Sequence, residues 1–204
     1  MSVTDLKYWR YFLSIEDDFI KTLRYVDLNN DNYKTFSIEY TRLLVSTCAE
    51  IEIMLKLLCN TTGTNCDKYN ISKLKKKLYE HEFCLIHQAE VNLSNYEIDW
   101  IIPFASWERD DSKGKSIAPE WWKAYNNIKH NRDEKYKEAN LENLIYAIAG
   151  LFIVNMYYYN KVKNIEPMPK PKLFGLEYYY ESNQIAGMEL GGILLWELPW
   201  KEKQ

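Results

Sequence analysis

The segment from Trp121 to His130 combines an apolar face with a row of side chains that could do chemistry. At about 100° per residue, a helical wheel gathers its aromatic and aliphatic side chains on one side. The opposite side carries one polar row, formed by Lys123, Asn126, Asn127 and His130. Histidine exchanges protons near neutral pH, and lysine and asparagine can bind anions or polar ligands. The segment therefore predicts a helix with one core face and one reactive face.

This helix and the segment after it resemble a known family. EWWKAYNNIKHNR followed by ANLENLIYAIAGLFIVN looks like the higher eukaryote and prokaryote nucleotide-binding (HEPN) superfamily. Its shared motif is an arginine, four to six residues and a histidine, commonly with asparagine directly after the arginine. Asn126 and His130 stand at the matching spacing, whereas Tyr125 occupies the arginine position. Glu52 and Lys56 resemble an acidic and basic pair of the family's second helix, although an i,i+4 ion pair explains them equally well.

The resemblance implies metal-independent RNA cleavage without a cofactor, by histidine and arginine side chains that meet across a homodimer. The expected catalytic residues are His130, Asn126 and Arg132, and the expected RNA-binding residues are Lys123, Lys129 and Asn127. The histidine would exchange a proton with a ribose oxygen, and a guanidinium would stabilise charge on the phosphate. Tyr125 cannot supply that charge. None of the neighbouring cations places the paired N–H donors of a guanidinium at the same position.

Three functions are consistent with these residues. The first is a HEPN-like ribonuclease that acts as a toxin or antiviral defence effector, with an antitoxin or a sensor protein as its partner. The second, favoured by Tyr125, is an inactive HEPN-like module that binds RNA, a nucleotide or a protein. The third is a helical scaffold or assembly subunit that uses its aromatic C-terminal region as a contact surface. His130 could also serve only as a cation that interacts with the helix dipole.

Composition narrows the class of protein. The 204 residues are 47% hydrophobic and 27% charged, which is enough apolar material for one core. The formal charge of -3 provides no global positive field, so any RNA contact must be local. The N-terminal segment lacks the pattern of a secretion signal, and the apolar run from Leu144 to Val154 is shorter than the about 18 residues that span a bilayer. We expect a cytoplasmic protein without membrane contact.

Hydrophobic periodicity predicts a mainly α fold, a HEPN-like helical bundle with a small β-containing insertion. Helices are expected over residues 5–26, 37–59, 119–131 and 140–162, with a short helix at 71–81 whose lysines face solvent. Residues 1–164 are expected to form the helical domain, with the insertion at 83–115, where IDWIIPF resembles an edge strand. Residues 165–204 are expected to form a linker and an aromatic hairpin around 182–184.

No metal site is expected. His81 and His87 lack ligand partners at metal spacing, and the acidic residues near 108–111 lie in a polar loop typical of solvated surface. The cysteines include no Cys-x-x-Cys pair, and Cys48 and Cys59 lie in an apolar helical segment. We therefore expect reduced, structural thiols.

Overall fold

The computed structural model describes residues 5–177, apart from 82, 95, 97, 99, 111 and 113–115. Its helices and strands are α1 (Lys7–Thr22), α2 (Ile38–Asn60), α3 (Ile71–Tyr79), β1 (Glu90–Leu93), α4 (Glu120–Lys135), α5 (Leu141–Tyr157) and β2 (Phe174–Glu177). Short 3-10 turns join several of them, and a π-helical turn, Tyr158–Val162, follows α5. The predicted mainly α fold with a small β insertion is confirmed.

Local capping chemistry explains where three helices begin. Ser37 Oγ accepts the backbone N–H of Tyr40 at 3.0 Å at the start of α2. Asn140 Oδ1 accepts that of Asn143 at 2.9 Å at the start of α5, where the sequence predicted a helix from residue 140, and Asn70 caps α3 in the same way. A cap satisfies a backbone donor that has no partner inside the helix. These positions are therefore fixed by short-range sequence.

The helices α1, α2, α4 and α5 form the bundle. The Leu141 backbone N–H donates to the Thr35 carbonyl at 2.9 Å, so α2 and α5 begin at the same end and run in parallel. Asp18, near the end of α1, meets Arg42, near the start of α2, so these two helices are antiparallel. Both α1 and α4 pack against the α2 and α5 pair. This packing makes α5 the central helix.

The apolar helix α5 was expected to be too short to span a membrane. Its length does not exclude a span, but its burial in the bundle is what a core helix shows. Residues Leu141–Asn160 form a helical segment that is long and apolar enough to cross a membrane. The bundle buries 78% of its most apolar window, and Phe152 stacks on Phe12 with 5.4 Å between ring centroids. Burial of this kind is typical of the core helix of a soluble protein.

The sheet differs from the expected edge strand. β1 pairs antiparallel with β2, with Val91 opposite Leu176, so its partner comes from the segment predicted as a linker. Among its described residues, the IDWIIPF segment contributes one isolated bridge, between Ile101 and Val91. Phe104 enters the core, and the Pro103 carbonyl accepts the indole N–H of Trp121 at 2.7 Å, so this segment bends toward α4. The predicted hairpin around 182–184 lies outside the described residues.

One further expectation was wrong, and another was wrong at a single residue. Cys59 and Cys66 form a disulfide, because the turn after α2 brings their Cα atoms to 6.0 Å, whereas Cys48 is a free, buried thiol. The expectation of reduced thiols considered only closely spaced pairs.

In α3, Lys75 is buried, and its ammonium donates to Asp110 Oδ1 at 2.7 Å and to the Arg109 carbonyl at 3.0 Å. Lys75 thus anchors a loop instead of facing solvent.

Candidate functional site

The core face of α4 holds the candidate site in place. Its buried residues are Trp121, Trp122, Ala124, Tyr125 and Ile128, all of which the helical wheel places on the apolar side. The rings of Trp121 and Trp122 meet edge to face at 5.9 Å, and Trp121 also packs on Phe104. This aromatic face fixes the rotation of α4, so the polar row must point away from the core.

Tyr125, at the position of the motif arginine, belongs to this core face. Only 4% of it is exposed, and its ring lies 5.2 Å from that of Trp122. The Lys129 ammonium lies 5.5 Å above the Tyr125 ring, in a cation–π contact. A longer charged side chain at position 125 would have to leave the packed face. Any cation that acts with His130 must therefore come from another position.

Lys123 and Asn127 line a groove between α4, α5 and the 102–106 segment, with a volume of about 580 Å³. The Lys123 ammonium pairs with Glu120, and the Asn127 amide donates to Glu138 Oε2 at 2.8 Å. Three carboxylates and two lysines line this groove. A phosphate would meet more negative than positive charge there, so the groove suits an RNA backbone poorly.

Asn126 lies between the groove and the end of the helix. Its amide donates to the Trp122 carbonyl one turn earlier, at 3.1 Å, and the residue is half-buried. This is a side-chain to backbone contact within one helix. Asn126 therefore lies on the predicted row, but it is not among the residues that line either cavity of α4.

The end of α4 carries a kink that changes the geometry of the remaining residues. Asn131 has φ -137° and ψ 46°, which are not helical values. In a regular helix, side chains two residues apart point about 160° away from each other. His130 and Arg132 both lie beside this kink, and both line an open cavity of about 460 Å³ that the consecutive residues 128–134 form. The sequence predicted that the helix ends at about residue 131, but it did not indicate this cavity.

His130 and Arg132 are both exposed. Among the described residues, neither side chain makes a hydrogen bond or an ion pair, so both are available to a ligand. Asp133 and Glu134 line the same cavity. The sequence analysis did not assign these two residues to the site, although they directly follow Arg132. The cavity thus holds two permanent cations, two carboxylates and an imidazole that can be neutral or positive.

These groups can exchange a proton and hold an anion at one place. An imidazole can act as a base or an acid near neutral pH. A guanidinium stays charged and can bind two oxygens of a phosphate at once. Within the part of the chain that the structure describes, no three His, Cys, Asp or Glu side chains gather where they could hold a metal ion.

The pair that resembles the family's second helix also forms. Lys56 Nζ lies 2.7 Å from Glu52 Oε1 within α2, as an i,i+4 ion pair. Their side chains are partly buried, and they are ordinary neighbours on one helix face.

No protein-family model, no curated protein and no solved structure matches the chain.

Proposed function

We propose that this chain is a HEPN-like protein that binds RNA and cleaves it at the kinked end of α4. The observation that carries the proposal is that His130, Arg132 and Lys129 line one cavity at the kinked end of α4. His130 and Arg132 are exposed and carry no ion pair in the described structure. Arg132 would replace the charge that Tyr125 cannot provide, although it follows the histidine in the chain instead of preceding it.

The chemistry requires proton transfer and charge stabilisation. His130 would accept the proton of a ribose 2′-hydroxyl, whose oxygen then attacks the adjacent phosphorus. The bond between phosphorus and the 5′ oxygen breaks, and that oxygen takes up the proton that His130 accepted, which leaves a 2′,3′-cyclic phosphate and a 5′-hydroxyl. Arg132 and Lys129 would hold the phosphate oxygens as their charge grows. Every bond change is balanced by these groups, so the step needs no cofactor.

The permanent charges in the cavity cancel, because Lys129 and Arg132 are offset by Asp133 and Glu134.

A second candidate function is binding without cleavage. The burial of Tyr125 favours it, because an arginine at this motif position is the feature that the resemblance links to activity. The same cavity would then hold an RNA phosphate or a nucleotide. Both functions use the same cavity residues. One experiment that measures binding and cleavage with the same variants can therefore separate them.

Purified protein should be incubated with single-stranded RNA in the presence of a metal chelator. We expect cleavage that falls about 100-fold or more in His130→Ala, and by a similar factor in Arg132→Ala. Arg24→Ala is the matched control, because Arg24 is an exposed arginine outside the cavity. RNA that binds intact, more weakly to both cavity variants, would support the second function. If the protein neither binds nor cleaves the RNA, the proposal is refuted.

In the cell, such a protein would act as a toxin or a defence effector held in check by a partner protein. Its expression should then arrest growth, and His130→Ala should relieve the arrest. Equal toxicity of the wild type and the His130 variant would show that the growth arrest does not depend on RNA cleavage by His130.

A further inference from the structure

The short helix α3 has a basic face on the side away from the core. Its buried residues are Ile71, Leu74, Lys75 and Leu78. Lys73, Lys76 and Lys77 fall on the opposite side, at the i, i+3 and i+4 spacing that makes side chains neighbours on one helix face. Lys73 and Lys76 are exposed, and Lys77 is partly exposed. We call Lys73, Lys76 and Lys77 the α3 basic face.

Little negative charge offsets the cations of the α3 basic face. Lys77 lies 3.3 Å from Glu80, whereas Lys73 and Lys76 form no ion pair with any residue that the structure describes. The face therefore keeps two uncompensated positive charges on one surface. The chain as a whole has a net charge of -3, so this face is a local exception. Such an exception attracts a polyanion to one place on the protein.

The α3 basic face and the cavity at the kinked end of α4 lie toward opposite ends of α2. The end of α4 adjoins the start of α2, because the rings of Tyr136 and Phe36 meet edge to face at 5.7 Å. The disulfide between Cys59 and Cys66 keeps the turn before α3 at the other end of α2. The 23 residues of α2 rise by about 35 Å. A ligand must therefore be long to reach both places.

We propose that the α3 basic face is a second RNA contact, which holds the phosphate backbone of a long single-stranded RNA while another part of that RNA occupies the cavity of α4. Lysines bind phosphates as point charges, and the counterions released from the RNA favour binding without regard to base sequence. The inference rests on the proposed function for the identity of the ligand. It adds that the length of the RNA decides its affinity.

The test uses a single-stranded 2′-O-methyl RNA of about 30 nucleotides, which lacks the attacking hydroxyl and cannot be cut. In the double variant Lys73→Gln/Lys76→Gln, fluorescence anisotropy should show an affinity about tenfold lower than that of the wild type. The slope of log affinity against log salt should become shallower by about 1.4, since each lost phosphate contact on a single strand contributes about 0.7. A trinucleotide of unmodified RNA cannot reach both places, so its cleavage should not change.

Lys21→Gln/Lys172→Gln is the matched control. Both lysines are exposed, and each pairs with an aspartate, so the control removes the same charge from another surface. Its affinity for the long RNA should stay within about twofold of the wild type, because these lysines are already neutralised. Circular dichroism shows that both double variants fold. Equal losses in the two double variants would overturn the inference, since they would reflect net charge alone.

The outcomes separate this inference from the proposed function. If Lys73→Gln/Lys76→Gln binds the long RNA as the wild type does, the inference is wrong even where His130 cleaves RNA. If that variant loses affinity for vesicles of phosphatidylserine but not for RNA, the face belongs to a membrane contact and the inference is also wrong. If it loses RNA affinity while the wild type cuts no RNA, the α3 basic face stands and cleavage at α4 fails. If the wild type does not bind RNA, both fail.

Discussion

The side-chain amide of Asn127 donates a hydrogen bond to the Glu138 carboxylate at 2.8 Å, and it joins α4 to the turn before α5. Lys135 contacts the other Glu138 oxygen at 3.3 Å, and the Glu138 carbonyl accepts the amide of Asn143 at 2.9 Å. Glu138 therefore holds the connection between the helix that carries His130 and the central helix. The amide of Asn127 is engaged inside the protein and is not directed at a ligand.

Asn127→Ala should lower the free energy of unfolding by about 1 kcal/mol, the scale of one partly exposed hydrogen bond to a charged group. RNA affinity should not change at a temperature where the variant is folded. The double variant with Glu138→Ala should show a coupling of similar size in urea denaturation. A loss of RNA affinity without a loss of stability would instead assign Asn127 to the RNA site.

Glu16→Ala should have the largest effect on stability of the changes considered. Glu16 is 1% exposed, and its carboxylate accepts the backbone N–H groups of Lys172, Leu173 and Phe174 at 3.0, 2.8 and 3.3 Å. Its removal leaves these donors without a partner, at a cost of about 2–4 kcal/mol. Trypsin should then cut sooner at Lys172.

Asp17→Ala is the control for that prediction. Asp17 pairs with Lys172 from the adjacent position, but both side chains are at least half exposed. An exposed ion pair of this kind adds little to stability, so this variant should resemble the wild type. Equal destabilisation by the two substitutions would show that Glu16 does not hold β2 as we describe.

The disulfide between Cys59 and Cys66 should stabilise the turn after α2. Replacing both cysteines by alanine should lower the free energy of unfolding by about 2 kcal/mol, the scale for a short closed loop. Peptide mapping without reductant should find the two residues linked, whereas Cys48 should react with a maleimide only after unfolding, because it is buried. Free thiols at both positions under oxidising conditions would contradict the assignment.

Glu50 predicts a pH dependence of stability. Burial raises its pKa above 4.5, and Lys7 offsets only part of this. Because the folded state holds the proton more tightly, stability declines as the pH rises from below 4.5 through the raised pKa. Glu50→Gln should therefore unfold at a higher temperature than the wild type at pH 7, and the gain should vanish in acid.

Glu39→Gln should have the opposite sign. Its carboxyl pKa is lowered, chiefly by the hydrogen bond from Arg42, so its contribution is present above the ordinary value of 4.5 and is lost as the pH falls through the lowered pKa. Glu39→Gln should melt below the wild type at pH 7. Thermal melts of both variants at several pH values check the two signs together.

The amino-acid sequence by itself determined the helices and the orientation of α4. Asn140 marks the start of α5, and the spacing of Trp121, Tyr125 and Ile128 predicts the buried face of α4. These features depend on interactions within one or two helical turns, such as a cap or an amphipathic stripe. Such rules can be applied to a sequence without knowledge of the fold.

Only the tertiary structure decided which polar side chains remain available. Asn127 is bound by Glu138 across a turn, β1 finds its partner in β2, and Cys59 reaches Cys66 around another turn. These contacts depend on how the chain returns on itself, which helical periodicity does not encode. The kink at Asn131 is a further case, because a regular helix would direct His130 and Arg132 apart, whereas in the folded chain both line the cavity at the kinked end of α4.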